Sequence, residues 1–206
     1  MEEHVFVPPL FCLSLYGMKK LALFASGNGT NVQRIAEYFA KHPNVCIKLI
    51  VCNNAHAYVL ERAKKLGITS YLINDKERFY HSDEVLKILQ QNRIDLLVLA
   101  GFLWLIPPNL IEAYPNKIIN IHPALLPKYG GEGMYGMRVH QAVVANRETA
   151  SGITIHYVNQ RYDEGKIIFQ AQCAILPNDS IEDVAQKIHV LEYEHFPKII
   201  EKELLG

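Results

Sequence analysis

Lys117-Ile118-Ile119-Asn120-Ile121-His122-Pro123-Ala124-Leu125-Leu126-Pro127 reads as a buried strand that stops abruptly. Ile118, Ile119 and Ile121 are β-branched and apolar, which suits a strand covered on both faces. Asn120 and His122 fall at i and i+2, so they share one face. Pro123 has no N–H for a sheet ladder and pushes His122 towards extended backbone, so the strand should end there. An amide donor and a titratable imidazole would then stand side by side at a strand's carboxyl end, the place where open α/β sheets bind ligands. The competing reading is a buried Asn and His satisfied by backbone.

Upstream of this stretch, strands and helices alternate. Residues 21–25 form a short apolar run, followed by Ser26-Gly27-Asn28-Gly29-Thr30-Asn31 and then apolar residues at helical spacing (Val32, Ile35, Ala36, Phe39). Strand, glycine-containing turn and helix make a unit suited to phosphate: glycine lets backbone approach the ligand, and free N–H groups at a helix start attract an anion. Thr30 or Asn31 is placed to cap that helix. The loop is neither G-x-G-x-x-G nor a P-loop with its lysine, so a plain strand-to-helix turn stays open. Further strands are expected at 47–52, 70–73 and 96–100, with helices over 55–66, stopping at Gly67, and over 75–92. The pattern calls for right-handed βαβ units and a single-domain, doubly wound, mostly parallel α/β sheet of Rossmann-like type.

Downstream, Gly130 to Gly136 hold four glycines in seven residues, read as a mobile loop placed to act as a lid. A helix is expected over 139–146 and strands over 152–158 and 167–176, with Asp163 in the turn between them. Asp179 or Ser180 should cap a last helix running to Leu205.

Composition narrows the function classes. Twenty-one basic residues balance 21 acidic ones among 206, so no broad positive field is available for nucleic acid. Cys12, Cys46, Cys52 and Cys173 show no C-x-x-C spacing and read as reduced thiols of a cytoplasmic protein, with no metal site. Residues 1–17 carry a fairly apolar run too short to span a bilayer and no positive n-region, and are expected to be an extension outside the fold.

Taken together, the segments resemble the folate-dependent glycinamide ribonucleotide formyltransferases of purine biosynthesis, within the formyltransferase/hydrolase superfamily. Ser26 to Asn31 is similar to that family's phosphate loop. Ala100-Gly101-Phe102, the block from Asn120 to Tyr129, and Gly152 to Val158 with Asp163-Glu164-Gly165 follow in family order. The resemblance covers residues 18–206 as one formyltransferase domain. Its first part would bind nucleotide and its last part would complete the folate and catalytic site. It implies formyl transfer from 10-formyltetrahydrofolate to the amine of glycinamide ribonucleotide, with small-molecule partners, no metal, and a monomer or homodimer.

By the same resemblance, Asn120, His122 and Asp163 are the catalytic trio. The nucleotide would meet Asn28, Gly29, Thr30, Asn31, Arg78 and Glu192, and the folate would meet Phe102, Leu103, Trp104, Leu105 and Ile106, with 158–163 opposite. Trp104 departs from the family pattern, where many members carry arginine. Arg78 could equally be a solvated helix-face charge and Glu192 a surface glutamate, while His140 and His156 are assigned to packing behind the site. Rival readings are a methionyl-tRNA or amino-sugar formyltransferase, a formyltetrahydrofolate hydrolase, and a non-catalytic binding module.

Overall fold

The computed structural model describes residues 17–206; Cys12 and the expected extension before residue 17 lie outside them. Seven strands form one sheet in the order β3-β2-β1-β4-β5-β6-β7. The strands are β1 (Lys19–Ala25), β2 (Val45–Cys52), β3 (Ser70–Leu72), β4 (Leu96–Leu99), β5 (Ile118–His122), β6 (Ala150–Tyr157) and β7 (Ile167–Ala174). β1 to β5 pair in parallel, whereas β6 and β7 add antiparallel strands at one edge. The expected doubly wound, mostly parallel α/β architecture is what the chain adopts.

Alternation along β1 explains the layering. Leu21, Leu23 and Ala25 point into one core, shared with α1 (Thr30–Phe39), α2 (Val59–Leu66), α6 (Met137–Ala145) and α7 (Ile181–Leu205). Ala22 and Phe24 point into the other, covered by α3 (Lys76–His81), α4 (Glu84–Gln91) and α5 (Pro108–Ala113). All five of these β1 residues are at most 1% exposed, so the strand reads as an unbroken apolar run rather than a half-polar one. Cutting a core side chain such as Leu23 to alanine would cost about 2–5 kcal/mol.

Several local expectations change. The single helix expected over 75–92 is two, because the chain leaves helical geometry at Ser82 (φ −126°, ψ 160°) before restarting at Glu84. Asp75 caps the first of the pair, accepting from the Arg78 amide. Helix α2 begins at Val59 rather than at residue 55. Helix α5 was not foreseen; Pro107 and Pro108 start it, where a missing N–H costs nothing. Ser180, not Asp179, caps α7, through a reciprocal capping box with Asp183. Among the described residues no helix is long and apolar enough to cross a membrane, and no group of three or more His, Cys, Asp or Glu side chains is placed to hold a metal ion.

Candidate active site

The order of strands reverses at β1, with β2 on one side and β4 on the other, and a cavity of about 590 Å3 opens beyond their carboxyl ends. Ser26 ties the two strands together there. Its N–H donates to the Gly101 carbonyl at 2.9 Å, and its Oγ accepts from the Leu103 amide at 2.9 Å. The loop then passes so close to α2 that a Cβ on Gly29 would stand 2.5 Å from Val59 Cγ2, and Gly29 takes φ 75°. Glycine meets both demands. Neither Thr30 nor Asn31 caps α1, contrary to expectation: Gly29 is the N-cap and no side chain closes the helix end. The first-turn N–H groups have no partner inside the helix, and residues 27–31 line the cavity, an arrangement suited to an anion. Arg62 braces the loop from outside, donating to the Asn28 carbonyl at 2.8 Å and to its Oδ1 at 3.0 Å.

Opposite this end stand the side chains of β5. His122 is 4% exposed. Its Nε2 lies 2.7 Å from the Tyr129 carbonyl, which can only accept, so Nε2 carries a hydrogen. Nδ1 faces Asp163 Oδ2 at 3.4 Å. Burial holds the imidazole below its ordinary pKa; the Asp163 charge and the Tyr129 carbonyl oppose that, and His156 reinforces it. Asp163 sits in the turn after β6 at φ 57°, a left-handed conformation that aspartate tolerates better than most residues. Burial acts to raise its carboxyl, yet the contact with His156, the His122 charge and the Gly131 amide together hold it below the usual range. It is the anionic neighbour of His122.

Asn120 lies directly across the antiparallel ladder from His156. His156 Nδ1 is 2.9 Å from the Tyr157 carbonyl and so carries a hydrogen, while Nε2 stands 3.1 Å from Asn120 Nδ2. Asp163 Oδ1 is 3.5 Å from both Nε2 and Asn120 Nδ2. Asn120, His122 and Asp163, expected as a trio, thus meet on one wall of the cavity.

The remaining candidates divide. Phe102, Leu103, Trp104, Leu105 and Ile106 all line the cavity, with Val158 and residues 161–163. Trp104 packs against Phe79, Tyr80 and Phe102 with ring centroids 5.3, 6.4 and 6.3 Å away, so an aromatic cluster backs the cavity wall where a cation was the alternative. Glu192 is no surface glutamate: it is 6% exposed, accepts from Asn31 Nδ2 at 3.1 Å, and burial pushes its carboxyl up to about 7. Arg78 is not brought to the cavity. Its guanidinium is half exposed and paired at 2.6 Å with Glu84, so the solvated-face reading describes its position.

Other residues at the cavity were not singled out from sequence as contacts. Gly131 donates its amide to Asp163 Oδ2 at 2.9 Å, so the glycine-rich loop is pinned at its root. His189 and Arg138 also line the walls. His189 stands three residues before Glu192 on α7, a helical spacing that would have found it.

Fold and site together define a formyl transferase: a family model described as "Formyl transferase" matches residues 19–200, and the chain belongs to that family. Within it, the chain is similar to phosphoribosylglycinamide formyltransferases. The Bacillus subtilis protein of that name is 37% identical over 92% of this chain and 96% of its own length. The chloroplastic one of Arabidopsis thaliana is 38% identical over 88% of this chain, which spans only 64% of that longer relative. The solved structure of the Bacillus halodurans phosphoribosylglycinamide formyltransferase superposes with a TM-score of 0.81 at 32% identity, covering 91% of this chain and 96% of that one.

Proposed function

We propose that this chain transfers a formyl group from 10-formyltetrahydrofolate to the glycyl amine of glycinamide ribonucleotide; the relatives it resembles are named phosphoribosylglycinamide formyltransferases. What carries this reading is the meeting of Asn120, His122 and Asp163 at one wall of a cavity whose other end is a capless helix N-terminus. The N–H groups of 29–31 would hold the phosphate, and buried Glu192 a ribose hydroxyl. The slot from Phe102 to Ile106, with Trp104 in tilted aromatic contact, fits a flat ring and a substituted benzene stem. The folate derivative supplies an activated formyl carbon on nitrogen.

The chemistry asks little more of the protein than charge and proton placement. As the amine nitrogen bonds to the formyl carbon, the carbonyl oxygen gains negative charge. Asn120 Nδ2 donates to that oxygen, and a protonated His122 stabilises it by its charge and through Nδ1–H, which it shares with Asp163 at 3.4 Å because Nε2–H is committed to Tyr129. Asp163 favours the imidazolium and accepts a proton from the new ammonium for return to the departing folate nitrogen. The carbon–nitrogen bond to folate breaks as that nitrogen is protonated, so one proton and one formyl group change places. A cytoplasmic enzyme acting as a monomer or homodimer on two small molecules belongs to the same proposal.

The test is direct. Purified protein mixed with both substrates should release folate only when the nucleotide is present. Release without nucleotide would identify a hydrolase, and no release a binding module.

A further inference from the structure

Tyr129 lies outside the cavity wall, yet two backbone groups of its segment hold the acid–base pair. The Tyr129 carbonyl takes the His122 Nε2–H at 2.7 Å, and two residues later the Gly131 N–H reaches Asp163 Oδ2 at 2.9 Å. Between them Gly130 has no room for a side chain, since a Cβ would stand 2.5 Å from Leu126 Cδ2 and 3.2 Å from Asp163 Cβ. Tyr129 itself adopts φ 58°, a left-handed conformation unfavourable for a bulky aromatic residue. Something must hold it there. Its phenol donates to Glu148 Oε1 at 2.8 Å and accepts from Asn146 Nδ2 at 3.0 Å, and Lys128 Nζ reaches the same Glu148 oxygen at 2.9 Å. Asn146 closes the end of α6 and Glu148 lies just beyond it; neither lines the cavity.

We propose that Tyr129 is a positioning residue for the formyl-transfer reaction: its phenol, anchored by Glu148 and Asn146, fixes the backbone carbonyl that orients the His122 ring and leaves Nδ1 as the reactive nitrogen. The role rests on the functional reading given above. It explains why a hydroxyl remote from the cavity is held by two partners beside one strained backbone position. The carbonyl also favours the charged ring, in company with Asp163, against burial and the neighbouring His156 and His140 rings from β6 and α6. Loosening the carbonyl should therefore lower the pH at which His122 loses its proton.

Tyr129→Phe removes the anchor and keeps the ring and the carbonyl; Glu148→Gln weakens the same anchor from the other side. The His122 imidazole would be titrated by NMR in each substrate-free protein, and kcat and KM would be followed against pH. In Tyr129→Phe the midpoint should move to lower pH, with the alkaline limb of kcat moving the same way. At neutral pH kcat should fall about tenfold, the size of one hydrogen bond to a charged group, with both KM values held within about twofold. Glu148→Gln should give a smaller change of the same kind, and the double variant no more than Tyr129→Phe alone. An unmoved His122 midpoint overturns the proposal, whether stability or kcat falls or not. A moved midpoint in a protein whose wild type transfers no formyl group would support the anchor and overturn the functional reading instead.

Discussion

The two ends of the cavity are built differently. At the Gly27–Asn31 end the chemistry is backbone: N–H groups at a helix start, exposed because Gly29 fits where a side chain would strike Val59. At the β5 end it is side chains, each with its ring or amide fixed by a named partner: His122 by Tyr129, Asn120 by His156, Asp163 by Gly131. A backbone site tolerates changes of side chain but not of shape. A side-chain site tolerates changes of shape nearby but loses its chemistry with one substitution. Binding should therefore fail at one end and turnover at the other.

The sharpest contrast comes from His122→Ala. Turnover should fall by about 10²–10⁴, the usual worth of an acid–base group, while calorimetry still finds the nucleotide bound. Asn120→Ala should cost about 10²–10³ in kcat through the lost oxyanion donor. Gly29→Val attacks the other end: left-handed strain and contact with Val59 should raise the nucleotide KM by tenfold or more, at about 1–2 kcal/mol for the backbone conformation alone, with kcat less affected. Equal losses of kcat in both variants would break the division.

Smaller effects sharpen it. Trp104→Ala removes one ring of the aromatic cluster, worth about 0.5–1.5 kcal/mol, and should raise the folate KM by a few-fold to about tenfold while sparing the nucleotide KM. Glu192 titrates near 7 in the folded chain against an ordinary 4.5, so the folded state holds the extra proton between those values. Stability therefore falls as pH rises from about 4.5 through 7, the sign expected of a raised carboxyl. Glu192→Gln lacks this loss, so its melting temperature relative to wild type should be higher at pH 8 than at pH 5. Arg78→Ala should leave both KM values within about twofold, since the guanidinium is spent on Glu84 outside the cavity.

Much of the side-chain end was legible because its residue types announce themselves. Asn120 and His122 interrupt an isoleucine run at period two, and Pro123 says where the strand stops. The pairing of His122 with Asp163, 41 positions on, came only through family resemblance, because no local rule links a strand end to a distant turn. The partners that fix the ring and the carboxyl were not legible at all. A carbonyl and an amide belong to every residue, so nothing marks those of Tyr129 and Gly131 until the chain is folded. The break between α3 and α4 was hidden for a related reason: Ser82 and Asp83 are tolerable inside a helix, and the tertiary packing of Phe79 and Val85 decides otherwise. Arg78 shows the converse, a plausible charge whose partner was six residues away.

The formyl carbon should pass to the nucleotide's amine at the wall formed by Asn120, His122 and Asp163. Donor labelled with ¹³C in the formyl group, incubated with wild-type protein and glycinamide ribonucleotide, reads this out by NMR. A formamide carbon should appear on the glycyl nitrogen in amounts matching the folate released, and almost none in His122→Ala. Label appearing as free formate, or on the nucleotide at an undiminished rate in His122→Ala, would contradict it.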